Sequence, residues 1–195
     1  MRSGPARRAG LVVIALFVSI PLSRAGDGRV LFVPWKVLEP GASPAAALLT
    51  VYWIPSSPDE LRKSDLVTSR TLAMVAARCV NMQVIRADDL ERIEKLGVAG
   101  HLPLALILDG DEEIARVGNN GGTLRLSDVE NMVRLAVDRR EIDCDALLDA
   151  AKRKIAAGDS TAAIEIYRNV WDQRCAFPRQ GREAQRDLKK MRALK

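Results

Sequence analysis

The chain has 195 residues, 48% of them hydrophobic, with 30 Lys and Arg against 25 Asp and Glu and a formal net charge of +5. This length accommodates one ordinary domain with a small appendage, and the apolar content is ample for a core. The basic residues gather at the two ends, and aromatic residues, 4% of the chain, do not interleave with them. A nucleic-acid-binding surface built on a basic stripe with stacking aromatics is therefore not expected.

Residues 1–25 have the pattern of a secretory signal peptide. Arg2, Arg7 and Arg8 precede an apolar run over 11–22, which Pro21 breaks, and Ser23 and Ala25 are small residues before a cut expected after Ala25. The run is short against the ~20 residues that span a bilayer. An uncleaved anchor is the alternative, and Arg7-Arg8 weakly echoes a twin-arginine signal. The expected location is periplasmic or secreted, with no membrane association once the leader is removed. Export would permit disulfides among Cys79, Cys144 and Cys175.

The elements then follow in order. Residues 29–33 (RVLFV) predict a short strand, and 34–46 a loop rich in proline, glycine and small residues. Residues 48–54 (LLTVYWI) are β-branched and aromatic and predict a buried strand, ended by Pro55. Ser57 can cap a helix that begins at Pro58, with Asp59 and Glu60 in its first turn, where acidic groups favour the positive helix end. Apolar residues recur at roughly helical spacing from Leu61 through Ala76, which predicts one helix to Arg78. Residues 80–85 predict a strand, and 88–96 a short helix that ends at Gly97.

The stretch 95–118 (KLGVAGHLPLALILDGDEEIARVG) organises what precedes it. Its apolar run over 102–108 predicts a strand covered on both faces. Pro103 belongs at the strand's first residue, because inside a central strand it would remove a ladder donor. Asp109-Gly110-Asp111 supplies a hairpin turn, and 113–117 returns as the partner strand. After a turn over 119–122, Ser127 and Glu130 have capping-box spacing, and Val129, Met132, Val133, Ala136 and Val137 form an apolar helix face.

The resulting order is β, β, α, β, α, β, β, α, with parallel pairs first and an antiparallel hairpin later. This predicts an α/β fold, a mixed sheet flanked by helices. Over 29–140 the chain resembles the thioredoxin-like family, through Trp53 at the end of a buried strand, and through Gly97, Val98 and Pro103 in a glycine-punctuated turn before a strand fifty residues later. The resemblance implies a cis bond before Pro103 and a groove framed by Trp53, Ser56, Ser57, His101, Leu102 and Pro103. Leu102 would offer its backbone there to an extended segment of a protein partner.

The family's redox chemistry needs Cys-x-x-Cys at the start of the helix after that strand, where a depressed thiol pKa makes the attacking thiolate. Here those positions read Ser57-Pro58-Asp59-Glu60, and the buried aspartate that the family places two residues before the tryptophan is Val51. No catalytic residue is assigned, and a redox-inactive domain is expected. Ser57 with His101 lacks an orienting third group, so a hydrolase is not expected. With one histidine and no Cys-x-x-Cys spacing, neither a metal site nor a cofactor is expected. Cys79 is expected to be a buried structural thiol.

From Asp145 the pattern becomes all-helical, so 144–195 forms a small helical segment. Leu147, Leu148, Ala151, Ile155 and Ala156 make one face, Gly158 breaks the helix, and Ala162, Ala163, Ile166, Tyr167 and Val170 make the next. Residues 156–171 resemble the middle of a tetratricopeptide repeat, with Gly158 at the turn and Ala163 at the close-packing position. A third helix is predicted over 182–194. About one and a half repeats are too few to stand alone, so this hairpin should dock on the preceding domain or on a partner. If Cys144 opens the first helix and Cys175 follows the second, their ends are neighbours in an antiparallel hairpin, which predicts a Cys144–Cys175 disulfide. The functional expectation is an exported protein-binding or scaffolding module. The alternative is a thiol-disulfide oxidoreductase that uses Cys79 or the Cys144/Cys175 pair.

Overall fold

The computed structural model describes residues 32–39, 41–42, 48–119 and 122–193. The expected leader, 1–25, and the start of the first expected strand lie outside these residues. The protein is mixed α/β. Five strands, β1 (Lys36–Val37), β2 (Leu49–Ile54), β3 (Asn81–Val84), β4 (Leu104–Asp109) and β5 (Glu112–Gly118), form one sheet in the order β1-β3-β2-β4-β5. β1, β3 and β2 are parallel, while β4 runs antiparallel to both β2 and β5.

Both faces of the sheet are covered, which is why β2 and β4 read as continuous apolar runs. Leu49, Val51 and Trp53 of β2 and Ala105 and Ile107 of β4 point to one core. Tyr52, Ile54, Leu104 and Leu106 point to the other. The first core packs under α1 (Pro58–Lys63), α2 (Arg70–Ala76) and α4 (Leu126–Ala156), and the second under α3 (Leu90–Lys95).

Three elements differ from expectation. Of the first expected strand, 29–33, only Phe32 and Val33 are described and neither is in a strand; Val33 donates its N–H to the Val67 carbonyl at 2.9 Å, and the first described strand is Lys36–Val37. Trp35 then reaches inward, with Nε1 donating to the Leu66 carbonyl at 2.9 Å. The expected single helix to Arg78 is α1, a 3-10 turn (Asp65–Val67) and α2. Two serines divide it. Ser64 Oγ accepts from the Leu66 N–H at 3.3 Å, and Ser69 Oγ from the Leu72 N–H at 3.0 Å. Each turn starts afresh with a cap, so that Leu66 and Leu72 both become fully buried. The capping box at Ser127 does not form. Arg125 is the N-cap of α4, and Glu130 accepts from the Ser69 hydroxyl at 2.6 Å, across to α2.

α4 is 31 residues long and runs without a break through 140–144, where the sequence pattern changes. It belongs to both parts of the protein. Its first half covers the sheet, and its second half packs on α5 (Ser160–Asp172) and α6 (Pro178–Lys190), the latter beginning four residues before its expected start. Leu148, Ala151, Ala163, Tyr167, Val170, Ala184 and Leu188 form a separate helical core. Gly158, at φ +79°, makes the left-handed turn between α4 and α5. The hairpin docks on the sheet body through Phe177 and Ala176, which join the first sheet core together with Cys144. Arg78 Nε also donates to the Ala176 carbonyl at 3.0 Å.

The expected Cys144–Cys175 disulfide is corrected. Cys175 is joined to Cys79, with Cα atoms 5.8 Å apart, and Cys144 is a free, buried thiol. Cys144 does not open a helix. It lies well inside α4 on the buried face, where its thiol donates to Gln173 Oε1 at 3.2 Å. Cys79 is exposed and disulfide-bonded, not a buried free thiol, because it follows α2 in the turn that meets the α5–α6 connection.

Candidate functional site

The end of β2, the start of α1 and the turn before β4 hold the residues expected to frame a groove. Leu102–Pro103 is a cis peptide bond, as expected, and Pro103 is buried directly before β4. Ser57 takes the capping role expected of it, while Trp53, Ser56 and Leu102 take roles not expected from the sequence. Trp53 is fully buried and lines no surface. Its ring packs edge-on to Trp35, with centroids 5.5 Å apart at 61°, and its buried Nε1 has no hydrogen-bond partner among the described residues.

Ser57 is the N-cap of α1, its Oγ accepting from the Glu60 N–H at 3.2 Å. Glu60 reaches back, so that its Oε2 accepts from both the N–H (2.8 Å) and the hydroxyl (2.7 Å) of Ser56. Ser57 and Glu60 thus form a reciprocal capping arrangement with Ser56 at the start of α1. His101 is exposed, and its N–H donates to the Val98 carbonyl at 3.2 Å. Leu102 is half-buried against the second core, and its carbonyl accepts from Asn119 Nδ2 at 2.8 Å. That acceptor, expected to pair with a partner's backbone, is engaged by the chain's own side chain.

A small depression of about 360 Å³ opens beside α1, lined by Ser56, Glu60, Lys63, Asp65, Thr123 and Leu124. His101, Leu102 and Pro103 do not line it. The residues expected to form one groove are therefore divided between the core, the α1 cap and the turn before β4.

A larger groove, of about 700 Å³, lies between β5 and α4. Its apolar wall is Ile114, Val117, Met132, Leu135 and Ala136, with Ile114 41% and Leu135 60% exposed. β5 is an edge strand, so one row of its backbone groups faces outward. A β-bulge near Ile107 and Leu108 in the β4–β5 pairing adds the extra residue, Ile114, that faces the groove. At one end Arg140 and Asp109 approach to 3.1 Å, and Arg139 and Asp143 to 3.5 Å. The sequence held one signal of this groove, since Leu135 is a large apolar residue off the predicted buried face of its helix.

Of the three cysteines, Cys79 and Cys175 are paired and Cys144 is the free thiol. Burial pushes the Cys144 thiol up to about 11, against a smaller lowering by Arg140, so it stays protonated at neutral pH. Among the described residues no group of three or more His, Cys, Asp or Glu side chains is placed to hold a metal ion. Compared with known proteins, the chain matches no family model, and no curated protein matches its sequence.

Proposed function

We propose that this chain is an exported, redox-inactive, thioredoxin-like protein-binding module with a tetratricopeptide-like helical hairpin. It takes an extended apolar segment of a protein partner along the β5–α4 groove. The observation that carries this reading is the juxtaposition of an edge strand with an apolar groove in which Ile114 and Leu135 stand exposed. An added strand gains main-chain hydrogen bonds from β5, and its alternate side chains enter the groove.

The thioredoxin-like part of the reading is supported by a parallel set of strands followed by an antiparallel hairpin, the order that the resemblance implies. Redox inactivity is supported by Ser57 and Glu60, whose polar groups serve the start of α1. The Cys79–Cys175 disulfide fits a staple between the sheet body and the hairpin.

Fluorescence anisotropy with a panel of short labelled apolar peptides tests the reading on wild type, Leu135→Asp and Leu102→Arg. Binding that Leu135→Asp abolishes and Leu102→Arg retains is the expected result. Loss only in Leu102→Arg would return the site to the turn before β4. A protein that binds no apolar peptide would overturn the proposal.

A further inference from the structure

Charge is divided unevenly along the chain. Residues 26–144 carry 14 Lys and Arg against 18 Asp and Glu, whereas residues 145–195 carry 12 against 7. In the sheet body every described arginine except Arg70 and Arg125 has a carboxylate partner within 4 Å. Arg86 meets Asp88 at 2.5 Å, Arg92 meets Asp89 at 2.7 Å, Arg116 meets Glu113 at 2.6 Å and Arg140 meets Asp109 at 3.1 Å.

Among the described residues, α6 holds both paired and unpaired cations, and Arg179, in its first turn, meets Asp145 at 2.7 Å. Its inner face, Gln180, Gly181, Ala184 and Leu188, is buried against the rest of the hairpin. Arg182, Arg186 and Lys189 recur at i, i+4 and i+7 on the opposite side, and all three are exposed. None of them has an ion-pair partner among the described residues. The two carboxylates of α6 are engaged elsewhere, Glu183 with Lys152 at 3.0 Å and Asp187 with Lys190 at 2.7 Å. The outward side of the helix is thus a run of free cations about 10 Å long, at 1.5 Å of rise per residue.

The shape of this face selects among anionic partners. α6 packs on α5 and α4 through its inner side, so its outward side is convex. A single-stranded nucleic acid needs stacking rings, yet α6 contains no aromatic residue. A convex cationic helix face does fit a planar array of phosphates. The apolar side of α6 is committed to the protein core, which leaves electrostatic attraction without insertion. Among the described residues no helix is long and apolar enough to cross a membrane. The net acidic sheet body would be repelled by the same surface, which orients the molecule with α6 toward it.

We propose that Arg182, Arg186 and Lys189 dock the protein reversibly, α6 first, on an anionic phospholipid surface. This is surface association, and it revises the expectation of no membrane contact after leader removal. It stands independently of the β5–α4 groove.

Co-sedimentation with vesicles tests it, using the chain from Gly26, which retains every described residue. Phosphatidylcholine vesicles containing about 30% phosphatidylglycerol should bind the protein at low salt at least about tenfold more strongly than pure phosphatidylcholine. The preference should vanish at about 1 M NaCl, where the screening length is ~3 Å. The triple variant Arg182→Glu, Arg186→Glu, Lys189→Glu should lose on the order of a hundredfold of the anionic binding. The corresponding triple glutamine variant, which only removes charge, should also lose the preference and keeps the test valid if reversal impairs folding. Equal binding to both vesicle types, or wild-type binding by the glutamine variant, would overturn the proposal. So would retention on heparin or duplex DNA without vesicle binding, which would make the partner a soluble polyanion.

Discussion

Cys79 and Cys175 lie 96 residues apart in sequence, and their disulfide joins the turn after α2 to the connection between α5 and α6. It closes a loop that contains β3, the β4–β5 hairpin and the long helix α4. Beside it, Phe177 enters the sheet core and Arg78 bonds the Ala176 carbonyl. Covalent and packing contacts thus secure the same end of the hairpin.

Breaking this link should be costly but not dissociative. In the chain-entropy model a loop of this length contributes about 4–5 kcal/mol. The variant Cys175→Ser should show a urea transition lowered by an amount approaching that value, while the packing of Phe177 keeps the hairpin docked. Alkylation of oxidised protein in denaturant should label one cysteine, and three after reduction. Two or three labels before reduction would refute the Cys79–Cys175 pairing.

Cys144 should be inert in the native protein. Its thiol is buried and raised to about 11, so the native state resists losing a proton that the unfolded chain releases near 9. Above pH 9 the unfolded state binds fewer protons than the native state, and stability falls as pH rises toward 11. Wild type should lose melting temperature over that interval more steeply than Cys144→Ala. A thiol reagent at pH 7 should react only on unfolding.

Gly181 is required by a close approach and not by its backbone angle. A Cβ at that position would lie 2.4 Å from Arg174 Cβ and 2.8 Å from Arg174 Cα. The second of these is backbone and cannot swing aside. Gly181→Ala should destabilise by about 1–3 kcal/mol through overpacking. Amide exchange should rise in α5 and α6 before it rises in the sheet.

Two serine caps should differ in weight. Ser57→Ala removes an N-cap at the solvent edge and should cost about 1 kcal/mol in thermal unfolding. Ser69 is buried, caps α2 and also donates to Glu130 on α4 at 2.6 Å. Ser69→Ala should cost about 2–3 kcal/mol, because it leaves a carboxylate without its donor. Equal losses in the two variants would contradict this arrangement.

An insulin-reduction assay should show no turnover. With a capping serine and glutamate at the α1 start, no dithiol faces the turn before β4. Turnover that Cys79→Ser abolishes would establish the oxidoreductase alternative and overturn redox inactivity.

The sequence by itself determined the two central strands, the hairpin turn, the glycine breaks and the place of Pro103, whereas the cis bond before it was expected only from the family resemblance. Each rests on a local cause: unbroken apolar runs in β2 and β4, glycine at the α4–α5 turn, and a proline at the mouth of a strand. It also placed Ser57 as a cap, because a serine before Pro-Asp-Glu reads as a helix start. Tertiary structure alone decided which cysteines pair. The pairing depends on how the hairpin seats on α2, and on α4 continuing where the residue pattern suggested a boundary. It also drew Trp53 into the core, and it gave the Leu102 carbonyl to Asn119 and Glu130 to Ser69. In each case a polar or aromatic group, ambiguous in the linear chain, was claimed by a partner at least 17 residues away. The β5–α4 groove arose the same way: Leu135 alone stood out in sequence, as an apolar residue off its helix's buried face, and Ile114 joined it only when edge strand and helix stood side by side.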